Sequence, residues 1–164
     1  VSAGSILVWP DPRLSHACAP VGPVTDEVRA LAQQMLKVMY AAKGRGLAAP
    51  QIGVMSRLFV MDAGWKDGHA EPRVFVDPVI EAASDATDTG LEGCLSIPGI
   101  SAEVTRPAEI TLRWTDLDGA ARRERLTGFH ARCAQHEIDH LDGIVTFDRV
   151  SAIQRAALLS TYLP

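Results

Sequence analysis

The chain has 164 residues and a formal net charge of -4 built from 16 basic and 20 acidic side chains. The signs are mixed, with no long single-sign block, so phosphate-backbone binding has no electrostatic support and nucleic acid is not an expected partner. A hydrophobic fraction of 47% can fill the core of one compact domain, residues 1–164 are read as a single domain, and no apolar run approaches the ~20 residues that span a bilayer.

The opening words VSAGSILVWPDPRL lack a basic stretch followed by an apolar one, so no export leader is read there. Val1 in place of Met implies processing, or numbering from within a longer product, and leaves room for a removed organellar transit peptide. Cys18, Cys94 and Cys133 are odd in number, far apart and without a CxxC pair, which argues against a disulfide framework and for a reducing compartment.

Residues 25–42 place Val28, Leu31, Met35, Val38, Met39 and Ala42 on one stripe, with Thr25 and Asp26 as start signals and Gly44 as the stop. This predicts an amphipathic helix whose methionines fill core. After the turn KGRGLAAPQIG the pattern becomes strand-like at RLFVMD (57–62) and RVFVDPVI (73–80), separated by a loop-like stretch. Ile110, Leu112 and Trp114 alternate with Thr111, Arg113 and Thr115, and Asp118-Gly119 suits a tight hairpin turn, so two antiparallel strands are expected. Arg122, Arg123 and Arg125 read as a solvated strand face. Helical periodicity returns from Phe129 to Leu141, stops at Gly143, and recurs at 151–163 with Ser151 as N-cap. The expected class is α+β: mostly antiparallel sheets around a central helix, with an N-terminal amphipathic helix and a short C-terminal helix.

Three stretches carry chemistry. In QHEIDHLDG (135–143), His136 and His140 would lie about 40° apart on one helix face with Glu137 beside them, so two imidazoles can grip one metal while a carboxylate reaches a water. A polar helix carrying this spacing by chance is the competing reading. LEGCLSIPG (91–99) offers Cys94 as a third ligand, or as a small buried hydrophobe. GRGLAAPQIG (44–53) has two glycines that permit close backbone approach and an uncharged amide at Gln51, and it reads equally as a structural turn. It lacks the endings of a phosphate-binding loop.

Taken in order, GRGLAAPQ (44–51), EGCLS (92–96) and QHEIDHLDG resemble the three motifs of the peptide deformylases, and WPDPRL, IPG and TRP (105–107) extend the likeness from about Ile6 to Val150. The resemblance implies a metallohydrolase that removes the N-terminal formyl group from formyl-methionyl nascent chains and releases formate. It implies one divalent ion on Cys94, His136 and His140, with Fe(II) in the cell and Zn(II), Ni(II) or Co(II) as substitutes. Glu137 would be the general base, and the Leu95 backbone N–H and Gln51 side chain would be the oxyanion donors. An extended peptide would lie along Gly44, Arg45 and Gly46 and the segment Glu92–Gly93, with Phe129 and Cys133 walling the first side-chain pocket and Arg106 pairing with Glu92 behind the metal loop. A formylated nascent peptide, with the ribosome near its exit tunnel, is the implied partner. The implied location is the bacterial cytoplasm, or an organellar matrix or stroma.

Two positions depart from the pattern. Arg45 stands where an aliphatic residue is commoner, and its charge should snorkel outward or meet an acid. Ser101 stands near a position where many relatives have an arginine. These departures motivate a second reading, hydrolysis of another N-formyl compound; a non-catalytic metal-binding module is the third, and a zinc endopeptidase is remote. The chain stops at Pro164, soon after one short helix, where many bacterial deformylases continue, and the missing packing would then come from a partner or be absent.

Overall fold

The computed structural model describes residues 5–163, so the readings that concern Val1 and Pro164 lie outside the described residues. Helix α1 spans Asp26–Ala41, and the Thr25 side chain accepts from the Val28 N–H as the N-cap. Met35, Val38 and Met39 are buried as expected, joined by Ala32 and Leu36, while Ala42 is exposed. The stop is not where the sequence suggested. Lys43, with φ of 59°, takes the left-handed conformation, and Gly44 does not. Gly44 makes a close approach instead: a Cβ there would stand 2.6 Å from Leu95 Cδ1 and push that side chain aside.

Five antiparallel strands form one sheet in the order β1 (Gly46–Ala48), β2 (Leu58–Met61), β3 (Arg73–Ala83), β6 (Glu109–Thr115) and β7 (Ala121–Thr127). Every residue of β2 is buried, which explains its unbroken apolar run: the strand is covered on both faces. Leu58 and Val60 join Met35 and Met39 of α1, while Phe59 and Met61 join the cluster beneath helix α2 (Gly128–Leu141). There Phe59 stacks on Phe75 with centroids 4.4 Å apart, and Phe75 meets Trp114 at 4.8 Å.

The β6–β7 hairpin is present, but its loop is longer than the two-residue turn suggested by Asp118-Gly119. Thr115 pairs with Ala121, and the Asp116 carboxylate accepts from the backbone N–H of Asp118 and of Ala120. Arg122, Arg123 and Arg125 are exposed and pair with Asp116, Glu81 and Glu109.

The second sheet is a hairpin of β4 (Thr87–Cys94) and β5 (Ile97–Pro107), which periodicity does not predict. Only one face of β5 is buried, and β4 is exposed over most of its length, with Thr and Gly in place of an apolar alternation. Helix α3 (Ala152–Tyr162) starts at Ser151 as expected and packs Leu158, Leu159 and Tyr162 against Trp9, Ile97 and Phe147.

The N-terminal segment threads past both sheets and the end of α2. Leu7 N–H donates to the Gln51 carbonyl at 2.7 Å, Trp9 N–H to the Ser96 carbonyl at 2.8 Å, and Cys18 N–H to the Leu141 carbonyl at 2.8 Å. Gly143, φ 75°, lets this segment close on the helix end, since a Cβ there would stand 2.8 Å from the His16 carbonyl carbon.

Candidate metal centre

Helix α2 carries His136, Glu137 and His140 on its buried side, and the tip of the β4–β5 hairpin brings Cys94 to them. The Cys94 sulfur lies 3.4 Å from His140 Nε2, and the ligand atoms of Cys94, His136 and His140 all fall within 4.8 Å of one another. Ligands at ~2.1–2.3 Å around a tetrahedral ion are about 3.5 Å apart, so the group fits a metal with little adjustment. The donor set agrees, because a thiolate and two imidazoles suit borderline divalent ions. Burial pushes the Cys94 thiol up, but the adjoining His140 and His136 rings outweigh it and hold the thiol well below its usual range. A metal would need that same deprotonated sulfur.

Glu137 is buried in this cluster, and its Oε1 has no hydrogen-bond partner. Burial raises its carboxyl above the ordinary range, against the pull of His136 and His140. An unpartnered buried carboxylate oxygen is costly unless a ligand or water uses it. Gly46 of β1 passes so close that a Cβ would stand 2.6 Å from Glu137 Oε2 and 2.8 Å from the Cys133 sulfur.

Gln51, 1% exposed, is fixed at both ends of its amide. Its Oε1 accepts from Ala48 N–H at 2.9 Å, and its Nε2 donates to Ser96 Oγ at 3.0 Å and approaches the Cys94 sulfur at 3.8 Å. Sequence reasoning missed Ser96, although its place two residues after Cys94 in EGCLS is the available signal. Leu95 lies between β4 and β5 and packs against the α1 cluster.

Behind the ligands sits a buried ionic network. Arg106 donates to Glu92 at 2.6 and 2.9 Å and to Asp139 at 2.9 Å; Arg132 reaches Glu92 at 2.6 Å, and Arg149 reaches Asp139 at 2.7 and 2.9 Å. His136 Nδ1 is 3.0 Å from Glu92 Oε1, which leaves its Nε2 for the cluster. Burial alone would raise the Glu92 carboxyl, yet the bonds from Arg106 and His136 hold it at about 2. The resemblance places Glu92 in the peptide-binding segment as well as beside Arg106; the contacts of its carboxylate are with Arg106, Arg132 and His136, so it orients the ring from behind. Arg132, Asp139 and Arg149 are not anticipated by the sequence: Asp139 lies within QHEIDHLDG, but nothing in that pattern gives it a partner, and Arg132 and Arg149 lie outside the three motifs.

A cavity of about 650 Å³ opens in front of the cluster, bordered by Gly46, Gln51, Gly93, Cys94, His136 and Glu137. Cys133 lies in its wall, its thiol kept protonated chiefly by burial. Phe129, 44% exposed, also lines the cavity. Gly44 borders the cavity too, but both of its backbone groups are engaged by the fold: its N–H donates to Met39 and its carbonyl accepts from Trp65 Nε1. Ser101, exposed on β5 opposite Gly93, and Arg45 both border the opening.

Residues 3–156 match the model of the polypeptide deformylase family. The chain is 45% identical over 159 residues to a peptide deformylase of Rhodopseudomonas palustris strain BisB5, covering 96% of this chain and 91% of the relative. Among solved structures it is similar to a peptide deformylase of Synechococcus elongatus in complex with actinonin, with a TM-score of 0.91 and 38% identity over 95% of this chain and 85% of that one. The peptide deformylase of Thermus thermophilus gives a TM-score of 0.88 and 40% identity over 96% and 91%.

Proposed function

The chain belongs to the polypeptide deformylase family, and from that membership we propose a division of labour within a metal-dependent hydrolase that deformylates nascent peptides. The observation that carries it is the unpartnered Oε1 of buried Glu137 beside the converging Cys94, His136 and His140. We assign those three side chains as ligands of Fe(II), for which Zn(II), Ni(II) or Co(II) can substitute. An ion held there supplies Lewis acidity, drawing the pKa of water from ~16 towards ~7 and polarising a carbonyl oxygen.

Glu137 accepts the proton of the attacking water as the new O–C bond forms at the formyl carbon. Gln51 Nε2 and the Leu95 N–H donate to the formyl oxygen as it gains negative charge. The C–N bond then breaks, Glu137 returns the proton to the departing nitrogen, and formate and a free amino terminus result. The substrate backbone lies extended beside Gly46, at the edge strand of its sheet, and beside Gly93. Its first side chain, methionine, enters the cavity between Phe129, Cys133 and His136.

Residues 1–164 act as one catalytic domain, working where translation occurs, with the ribosome near its exit tunnel as the partner that presents the peptide. Among the described residues no helix is long and apolar enough to cross a membrane. The test is an anaerobic preparation assayed together for metal content and for formate release from formyl-Met-Ala-Ala. Metal at one per chain with turnover, and a loss of about 10²–10⁴ in kcat for Glu137→Gln at unchanged metal content, is expected. Bound metal with no formate from any formyl peptide would leave a non-catalytic metal module.

A further inference from the structure

The mouth of the cavity carries a charge that the chemistry at its base does not use. Lys43, Arg45 and Lys66 all border it, and none of them forms an ion pair among the described residues. Every other arginine does. This contrast matters in a chain whose formal net charge is -4, because acids are abundant and yet absent from this rim. The two carboxylates that do border the cavity are Glu92, held by Arg106 and Arg132, and Glu137, buried beside the imidazoles.

The three cations are held in place by the fold. Trp65 Nε1 donates to the Gly44 carbonyl at 2.8 Å, which ties the turn holding Lys66 to the turn holding Lys43 and Arg45. The Arg45 guanidinium carbon lies 5.4 Å from the centroid of the Phe129 ring, and its Nε is buried without a partner. A guanidinium stacked on a ring face keeps its planar edge of N–H donors available, and that edge matches a carboxylate.

We propose that this rim makes the enzyme selective for formylated peptides that carry a carboxylate beyond their first residue, with Arg45 as the specificity-determining side chain. Lys43 and Lys66 add attraction at longer range. The proposal rests on the reading of the site as a formyl-peptide hydrolase, and it concerns the residues after the one that enters the pocket. A side-chain carboxylate and the terminal carboxylate of a very short peptide present the same chemistry to Arg45.

The test compares kcat/KM for the amidated peptides formyl-Met-Glu-Ala, formyl-Met-Ala-Glu, formyl-Met-Lys-Ala and formyl-Met-Ala-Ala, with formyl-Met-Ala as free acid and as amide separating the two carboxylate sources. A glutamate peptide is expected to exceed the lysine peptide by about fivefold or more, chiefly through KM, as for one solvent-exposed charge pair. That ratio should shrink toward one at 1 M salt, where screening reaches about 3 Å. It should also fall toward one in Arg45→Met and persist in Arg45→Lys. Ratios within twofold for wild type, or a ratio indifferent to both salt and Arg45→Met, would overturn the proposal. Because the readout is a ratio on one enzyme preparation, a variant of low activity still reports. Should no peptide release formate, the hydrolase reading falls, and calorimetric affinities for the same glutamate and lysine peptides decide on the rim alone.

Discussion

Replacing Arg106 with methionine tests whether the ionic network behind the metal ligands stabilises the fold. Arg106 is 5% exposed and bridges Glu92 and Asp139 with three hydrogen bonds. Removing one member of a buried ion pair typically costs about 3–5 kcal/mol, because the remaining charge is left desolvated. Here Arg132 still holds Glu92 and Arg149 still holds Asp139, so the lower edge, about 3 kcal/mol, is expected. Glu92, a carboxyl held at about 2 against an ordinary 4.5, contributes about 3 kcal/mol at neutral pH from Arg106 and His136 together, net of burial. With a urea dependence near 2 kcal/mol per molar, the unfolding midpoint should fall by about 1.5 M, measured with wild type and variant at equal metal occupancy. The sign in pH follows from the depressed folded-state value. The Glu92 contribution is complete above the unfolded value near 4.5 and disappears as pH falls towards 2, so the gap between wild type and variant should narrow across that window. A midpoint shift below about 0.5 M, or a gap that widens on acidification, refutes the reasoning.

The remaining predictions concern the site and one distant tyrosine. Gly46→Ala forces a Cβ to within 2.6 Å of Glu137 Oε2; displacing that carboxylate by about 1 Å should lower kcat about 100-fold, with a stability loss of about 1–3 kcal/mol, and near-normal turnover would show that the base is free to move. Gln51→Ala removes a donor fixed by Ala48 and Ser96 and should cost on the order of 3 kcal/mol of transition-state stabilisation, with a smaller change in unfolding free energy. The Tyr40 hydroxyl donates to Asp62 at 2.5 Å; burial first, and then that bond, push its phenol up to about 12. Its neutral form is the one the fold favours, so this contribution is complete below about pH 10 and lost as pH rises towards 12, and tyrosinate absorbance should rise in part only above pH 11; about nine-tenths of the full tyrosinate change by pH 11 contradicts it.

Legibility in the sequence followed burial. Helix α1 was readable because it buries one face with regular period, β2 because it is buried on both, β3 from its β-branched and aromatic start although Val79 to Ala83 are exposed, and α2 from the apolar spacing that packs it on Phe59 and Phe75. The β4–β5 hairpin escaped because β4 is mostly exposed and owes its form to main-chain pairing from Thr87–Pro107 to Gly93–Ser101. The metal triad and Glu137 could be named because three separate motifs resemble one family. Helical spacing alone gave His136 and His140 but no third ligand. What sequence could not provide is the depth behind the site: Arg132, Asp139 and Arg149 meet Glu92 and Arg106 only through tertiary packing. Arg45 was visible as an anomaly, but its lack of an acidic partner required every neighbouring side chain to be placed.

The three backbone bonds made by Leu7, Trp9 and Cys18 also order events during synthesis. Their acceptors, at Gln51, Ser96 and Leu141, emerge progressively later from a ribosome that delivers the amino end first. The segment holding Leu7, Trp9 and Cys18 therefore gains its acceptors in stages, and its last anchor closes a loop of more than a hundred residues, from Cys18 to Leu141. An architecture whose last tie joins Cys18 to Leu141 is complete only once helix α2 has been made.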